Sequence, residues 1–147
     1  MTPLEIAKTQ IGVEEEPRNS NWGPVVKNYL RAGAILAPAP WCMAFVVWCF
    51  RQAGIKADRF PTTASCTFLL NWAREKGKIV RDPKPGDILL MLRKGDKTAF
   101  HTGIVQQVGR LSVRTVEGNS NESGSPEGYQ VVERNRSRLG RVAFVRI

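Results

Sequence analysis

The sequence is poor in the residues that bind metal ions or form disulfide bonds, since its 147 residues include one histidine and three cysteines. An odd number of cysteines, in a chain long enough to bury a core without cross-links, argues against a disulfide framework. There is no CxxC pair, and a single histidine cannot form a two-histidine site. We therefore predict no metal site, no cofactor and no disulfide framework.

The chain also lacks a long apolar segment and a recognisable secretory signal. Its longest uninterrupted apolar run, residues 41–50, has ten residues, whereas a membrane-spanning helix needs roughly 18. Residues 1–5 show no basic region followed by an apolar stretch. These features predict no membrane span and synthesis in the cytoplasm without a signal peptide. Any action outside the cytoplasm would then follow release or delivery by another route.

What the sequence has is a globular composition and an excess of basic residues. It is 42% hydrophobic and 24% charged, which is typical of a globular domain, and its length predicts a single domain over residues 1–147. The net charge of +9 lies mostly in the second half. Such a charge indicates attraction to nucleic acid, an anionic membrane or an anionic cell wall, with a solvated basic surface as the simpler alternative.

Helical patterns precede strand patterns along the chain, which predicts an α+β fold with N-terminal helices packed on an antiparallel sheet. Helices are predicted from a capping box at Thr2 up to Gly12, and over residues 22–32, 42–53 and 65–76. Strands are predicted over residues 87–92, 101–108, 111–117, 130–133 and 141–147, with a loop over residues 119–128.

The strongest local signal for chemistry is Cys42, which begins a helix that is apolar on all sides after a proline-rich loop. The N–H groups of a helix N-terminus favour a thiolate and can stabilise an oxyanion. The alternative is that Cys42 is a small core residue, which is how we interpret Cys49 and Cys66. Trp41, just before Cys42, is predicted either to line a substrate cleft or to lie in the core.

A reactive thiolate needs a partner base, and His101 is the chain's single histidine. Gly103 follows it and leaves space beside the imidazole. Glu117 and Asn119 lie at the end of the neighbouring predicted strand, where either could orient the ring. Each residue alone is as easily a surface residue, but the order Cys, His, Glu/Asn favours a catalytic set. Asp87, after a proline-glycine turn, is predicted to fix that turn.

At this point the chain resembles the CHAP domain, a cysteine- and histidine-dependent amidohydrolase/peptidase within the papain-like thiol hydrolases. The resemblance covers nearly the whole chain and depends on the segments LEIA at 4–7, IGVEE at 11–15, PWC at 40–42, KPGDI at 84–88, HTGIV at 101–105 and VEGNSN at 116–121. It implies a papain-like fold in which Cys42 is the nucleophile, His101 the base, Glu117 the orienting residue and Asn119 a further polar member.

The resemblance further implies cleavage of peptidoglycan, either by an N-acetylmuramoyl-L-alanine amidase or by an endopeptidase, in a phage endolysin or an antibacterial effector. Some relatives bind calcium through an acidic loop before the cysteine. Residues 34–40 hold no carboxylate here, so we do not extend calcium binding to this chain. With no separate wall-binding domain, the protein would be a monomeric catalytic domain whose +9 charge directs it to the wall.

Two other classes of function remain open at this stage. A non-catalytic wall-binding module could keep the same fold, although the complete set of four polar residues argues against it. The charge also suggests a nucleic-acid-binding protein. The sequence has no recognisable helix-turn-helix, zinc finger or aromatic RNA-binding motif, so we predict no specific nucleic-acid partner.

The proposed catalytic set places a condition on strand register. If the hairpin turned on Gly109 and Arg110 alone, paired residue numbers would sum to 219, and His101 and Glu117 would lie on opposite faces of the sheet. We therefore predict an even sum of 220, with Glu117 opposite Gly103. This even sum would result from a three-residue loop that pairs Val108 with Ser112, or from a bulge within either strand.

Overall fold

The computed structural model describes residues 1–120 and 128–147, which form four helices followed by six strands. The helices are α1 (Pro3–Thr9), α2 (Val26–Ala32), α3 (Cys42–Gln52) and α4 (Cys66–Glu75). The strands are β1 (Ile79–Val80), β2 (Ile88–Leu92), β3 (Ala99–Val108), β4 (Ser112–Ser120), β5 (Gln130–Ser137) and β6 (Val142–Val145). This order confirms the predicted α+β class.

Side-chain caps determine where two of the helices begin. Thr2 accepts a hydrogen bond from the Glu5 N–H at 3.1 Å, and the Glu5 carboxylate accepts one from the Thr2 N–H at 2.9 Å, which confirms the capping box of α1. Ser65 caps α4 in the same way through the Phe68 N–H. Helix α3 begins at Cys42, as predicted, but Trp41 at its N-cap makes no side-chain capping bond.

The second helix starts later than predicted. It begins at Val26 instead of residue 22. Pro24 disfavours the helical conformation for the residue before it, and Gly23 has a φ of 145°, outside the helical region. The helix therefore follows the Gly23–Pro24 pair and does not include it.

The strands form one sheet in the order β1-β6-β2-β3-β4-β5, in which every neighbouring pair is antiparallel. Helix α3 lies on β3 and β4 and also contacts α1 and α2. Eight of its eleven residues are buried, which matches its apolar sequence. Because α3 is central, its first residue is held against the strands that carry His101 and Glu117.

Three strands are longer than predicted, and β6 is shorter. Strand β3 starts at Ala99, β4 continues through buried residues to Ser120, and β5 continues to Ser137. Strand β6 covers only Val142–Val145 of the predicted 141–147. The short strand β1 was not anticipated. The predicted loop over residues 119–128 starts too early, since 119 and 120 belong to β4, and its residues 121–127 lie outside the described residues.

A bulge in β3 sets the register next to the candidate site. Val108 pairs with Val113 and Gln107 with Arg114, whereas Val105 pairs with Thr115 and Ile104 with Val116. The three-residue loop and the Val108–Ser112 pair were wrong, since Gly109 donates its N–H to the Ser112 carbonyl across a four-residue turn. One extra residue in β3 instead produces the predicted sum of 220 from Val105 onward, which was the alternative route.

The turn before β2 is fixed as predicted. Asp87 is buried, and its carboxylate accepts a hydrogen bond from the Lys84 N–H at 2.7 Å. Arg146 donates to both of its oxygens, at 2.9 and 2.8 Å. Asp87 therefore joins the turn to the strand that ends the chain.

Candidate active site

Cys42 is the first residue of α3, and its side chain lines a surface cleft of about 540 Å³. The thiol is largely buried, with 6% of the residue exposed. The cleft walls come from the loop before α3, the start of α4 and the region around the start of β3, and they contain Pro40, Ala64, Ser65, Cys66, Thr67, Arg93, Ala99 and Phe100. A molecule in this cleft would therefore contact the sulfur of Cys42.

The surroundings of Cys42 favour its thiolate. A hydrogen bond from the Cys66 thiol, whose sulfur is 3.9 Å away, is the largest influence that lowers the pKa of Cys42. Burial opposes this effect, but His101 and the Met43 N–H lower the pKa further. The outcome is a Cys42 pKa well below its usual range, as expected for a reactive cysteine.

His101, on β3, is hydrogen-bonded to Glu117 and lies close enough to Cys42 to influence its pKa. The ring is fully buried, and its Nε2 donates to Oε1 of Glu117, 2.7 Å away. Among the described residues, Nδ1 has no hydrogen-bond partner of good geometry. Burial lowers the pKa of His101, but the interactions with Cys42 and Glu117 raise it, to about 9 overall. A pKa raised in this way favours the imidazolium form of His101 at neutral pH.

Glu117, on β4, is a buried carboxylate with three partners. Arg136 donates from Nη2 to Oε1 at 2.6 Å and from Nε to Oε2 at 2.8 Å, and Thr115 donates its hydroxyl to Oε2 at 2.7 Å. Burial alone would raise the pKa of Glu117, but the hydrogen bonds from Arg136 and His101 lower it to about 2. The carboxylate is thus ionised at neutral pH and accepts the hydrogen bond from the His101 ring.

Gly103 leaves the space that this arrangement needs. A Cβ atom at Gly103 would lie 2.5 Å from Cγ of Glu117 and 3.1 Å from the Val116 carbonyl oxygen. Only a residue without a side chain allows Glu117 to cross β3 towards His101. The sequence-based expectation that Gly103 makes room beside the imidazole is confirmed in this respect.

A comparison with known protein families shows to which family the chain belongs. The family model of the CHAP domain matches residues 34–119, which is more than half of the chain and includes Cys42, His101 and Glu117. The chain belongs to the CHAP domain family. This confirms the resemblance drawn from the sequence, and CHAP domains are generally cysteine- and histidine-dependent amidohydrolases or peptidases. No curated protein and no solved structure matched the chain in the other two comparisons.

Asn119, predicted as a further polar member of the site, makes its hydrogen bonds to groups other than the imidazole. Its Oδ1 accepts a hydrogen bond from the Trp41 N–H at 2.7 Å, and its Nδ2 donates to the Gly128 carbonyl at 2.6 Å. Its φ of 55° lies in the left-handed region, which asparagine adopts more easily than most residues. Asn119 therefore ties the residue before Cys42 to the end of β4.

Trp41 lies in the core and not on the cleft wall. It is fully buried, its indole N–H donates to Oε2 of Glu15 at 2.7 Å, and its ring stacks on Tyr29 with centroids 5.5 Å apart. Of the two roles predicted for Trp41, this burial favours the role in the core. Because Gly118 has no side chain, β4 packs directly against the ring of Trp41 and helps to enclose it.

Sequence reasoning missed three residues of this site: Arg136, Thr115 and Cys66. The predictions for the second half of the chain considered its net charge and not Arg136 itself. The arginines at 134, 136 and 138 are two positions apart, which indicates that they share one face of a strand. Thr115 likewise lies two residues from Glu117 on one face of β4. Cys66 had no signal, since only the fold brings the start of α4 to Cys42.

The described residues contain no group of three or more His, Cys, Asp or Glu side chains placed to hold a metal ion. Within the same residues, none of the helices has the length and apolar character needed to cross a membrane.

Proposed function

We propose that this CHAP domain hydrolyses an amide bond of peptidoglycan, with Cys42 as nucleophile, His101 as proton carrier and Glu117 as the residue that orients it. One observation carries the proposal: a thiol, an imidazole and an arginine-bound carboxylate follow one another from the cleft into the core. This is the order of groups required by acyl transfer through a thiol.

The first step is attack on the amide carbonyl by the thiolate of Cys42. The low pKa of Cys42 means that no base must remove its proton before attack. The first turn of α3, which has no side-chain cap, directs N–H groups and positive potential to the place where the carbonyl oxygen becomes an oxyanion. The thiolate and the oxyanion are therefore stabilised by the same end of one helix.

The second step is loss of the amine, which is a poor leaving group unless it is protonated. His101, held as an imidazolium, supplies that proton, and the neutral ring then takes a proton from the water that hydrolyses the thioester. Glu117 stays ionised throughout because Arg136 binds both of its oxygens. It keeps the ring oriented and stabilises the imidazolium in each half of the reaction.

The cleft favours a substrate with a carboxylate near the scissile bond. Arg93 is the charged side chain among its lining residues, and one of its nitrogens donates to the Ala99 carbonyl at 3.0 Å. This bond anchors the guanidinium at the cleft wall and leaves its other donors for a ligand. Peptidoglycan stem peptides carry carboxylates, which guanidinium groups bind in a planar, bidentate manner.

The biological setting that we propose is a phage endolysin or a delivered antibacterial effector acting on the bacterial wall. The net charge of +9 supports it, because the wall is anionic and the excess charge draws a basic protein to it. The same domain would then both locate and cut its substrate.

Purified peptidoglycan and mass spectrometry of the released fragments test the proposal. The wild-type protein should release muropeptides with a new amine and a new carboxylate at one bond type, and that bond identifies an amidase or an endopeptidase. The Cys42→Ser variant should release none. Cys49→Ala is the matched control, since Cys49 is buried in the same helix away from the cleft, and it should release the same fragments as the wild type.

A non-catalytic wall-binding module of the same fold is the alternative outcome of this experiment. In that case the wild-type protein and the Cys42→Ser variant would both sediment with walls, and neither would release fragments. Equal release by the wild type and Cys42→Ser would instead place the chemistry outside Cys42 and contradict the mechanism.

A further inference from the structure

A second thiol lies beside the proposed nucleophile, and so far it has served only as a hydrogen-bond donor to it. Cys66 is the first residue of α4, and its sulfur is 3.9 Å from the sulfur of Cys42. Both residues line the same cleft, and each is 6% exposed. Two cysteines separated by 24 positions in the sequence are therefore adjacent on the wall of one cleft.

The third cysteine shows what a purely structural thiol looks like in this protein. Cys49 is fully buried in α3 and lies outside the residues that line the cleft. Burial raises the pKa of Cys49 far above its usual range, which makes it inert. Cys66 differs from it in two ways, since it borders the cleft and its thiol contacts the sulfur of Cys42.

The distance between the two sulfurs is short enough for a covalent bond after a small rearrangement. A disulfide requires about 2.05 Å between sulfurs, and rotation about the two side-chain torsions can provide the approach. None of the three cysteines forms a disulfide in the structure.

We propose that Cys42 and Cys66 form a reversible disulfide when a peroxide enters the cleft. The Cys42 thiolate attacks one peroxide oxygen, so that an S–O bond forms, the O–O bond breaks, and hydroxide leaves and is protonated to water. The Cys66 sulfur then attacks the Cys42 sulfur, the S–O bond breaks, and the Cys66 proton leaves with the hydroxyl group as a second water. Overall, two thiols are oxidised and one peroxide is reduced.

The disulfide has two consequences for the protein. It removes the thiolate and so stops hydrolysis until a dithiol reduces the bond. It also captures Cys42 at the sulfenic acid stage, before further peroxide converts it to sulfinic or sulfonic acid, which thiols do not reverse. Cys66 is in this respect a resolving cysteine. The effect on activity rests on the proposed function, but formation of the bond does not.

The bond is tested on the wild-type protein with hydrogen peroxide, followed by intact-mass measurement and mapping of linked peptides. The expected result is a loss of two hydrogen masses and a linked peptide pair containing Cys42 and Cys66, both reversed by dithiothreitol. Addition of oxygen masses without a linked pair, or a pair containing Cys49, would overturn the proposal. These readouts need no substrate, so they are independent of whether the protein cuts peptidoglycan.

The Cys66→Ser variant, with Cys49→Ala as its control, provides the second test. After peroxide, Cys66→Ser should gain oxygen masses on Cys42 and should not recover hydrolytic activity with dithiothreitol. The wild type and Cys49→Ala should lose activity and recover most of it. Recovery of Cys66→Ser to the same extent as the wild type would show that Cys66 does not protect Cys42.

Discussion

Arg136 binds both carboxylate oxygens of Glu117, with donor–acceptor distances of 2.6 and 2.8 Å. The two residues belong to neighbouring strands, β5 and β4, and the side chain of Arg136 is 12% exposed. Glu117 is therefore held at the middle of a chain of contacts that runs from an arginine near the surface through His101 to the cleft. The acidity and the position of Glu117 both depend on this arginine.

Removing Arg136 should weaken both the fold and the site. Loss of one partner from a buried ion pair typically costs about 3–5 kcal/mol of folding free energy, so we expect Arg136→Gln to lower the denaturation midpoint strongly. Arg136→Lys should recover only part of it, because lysine lacks the planar fork. The control is Arg114→Gln, whose half-exposed pair with Glu133 should cost about 0–1 kcal/mol. Equal costs for both variants would contradict the role of Arg136.

Activity should follow the ionisation of Cys42 and His101. With the pKa of His101 raised to about 9, kcat/KM should fall above about pH 9 as the imidazolium loses its proton. Since the pKa of Cys42 is well below its usual range, iodoacetamide should alkylate Cys42 at neutral pH while Cys49 stays unmodified. An alkylation rate for Cys42 that rises only above pH 8 would argue against a resting ion pair.

Glu117 and His101 should make the free energy of unfolding depend on pH in opposite senses. The folded-state pKa of Glu117, about 2, lies below its unfolded value of about 4.3, so its contribution is present above that value and is lost as pH falls towards 2. For His101, whose folded pKa is raised, the contribution is present below about pH 6.5 and is lost as pH rises through about 9. Urea unfolding of the wild type and of Glu117→Gln across this range measures the difference, which should vanish at the acid end.

Gly103→Ala should impair catalysis by displacing Glu117 from His101. The new Cβ would lie 2.5 Å from Cγ of Glu117, so the carboxylate must move away from His101. We expect kcat to fall more than KM changes, since Glu117 acts on the ring and not on the substrate. Gly109→Ala, directly after the same strand, is the control because its Cβ would press on the Ser112 carbonyl at 3.2 Å and not on Glu117. Similar losses of kcat in both variants would contradict this explanation.

Asn119→Ala should loosen the loop that leads into Cys42. It removes the acceptor of the Trp41 N–H and the donor to the Gly128 carbonyl, and each buried polar group left unpaired costs about 1–3 kcal/mol. Asn19→Ala is a matched control, because Asn19 has a similar φ of 66° but is exposed. The difference in unfolding free energy between the two variants isolates the buried hydrogen bonds. No difference would mean that backbone conformation alone explains Asn119.

Hydrolysis of intact walls should fall with added salt if the +9 charge directs the protein to them. Salt screens exposed charges beyond about 8 Å at physiological ionic strength. A small soluble muropeptide provides the control, since its cleavage depends on the cleft and should change little. Wall hydrolysis that is indifferent to salt would refute targeting by charge.

Much of the fold could be predicted because its signals are local. The capping box at Thr2, the proline-glycine turn before Asp87 and the apolar helix that begins at Cys42 each depend on neighbouring residues. The even register between β3 and β4 also followed from a simple requirement, since His101 and Glu117 must share a face. The bulge that produces this register could not be placed, because a turn and a bulge satisfy the same requirement.

The features that escaped prediction depend on contacts between distant segments. Cys66 reaches Cys42 only when α4 is placed beside α3, and Arg136 reaches Glu117 only through the pairing of β5 with β4. Trp41 could be assigned to the cleft or to the core with equal justification, because its environment is determined by Glu15 and Tyr29, which come from other parts of the chain. The sequence around each of these residues does not indicate which distant residues it will contact.

The missing cap at the start of α3 carries a consequence for engineering this protein. A serine, threonine or aspartate at the N-cap usually contributes about 1 kcal/mol to helix stability, and α1 and α4 have such a cap, whereas α2 and α3 do not. Replacing Trp41 to install one would occupy the N–H groups that face Cys42 and add an acceptor beside its thiolate. The uncapped end of α3 is less stable, but its N–H groups stay available for catalysis. Stabilising substitutions should therefore be placed elsewhere in the protein.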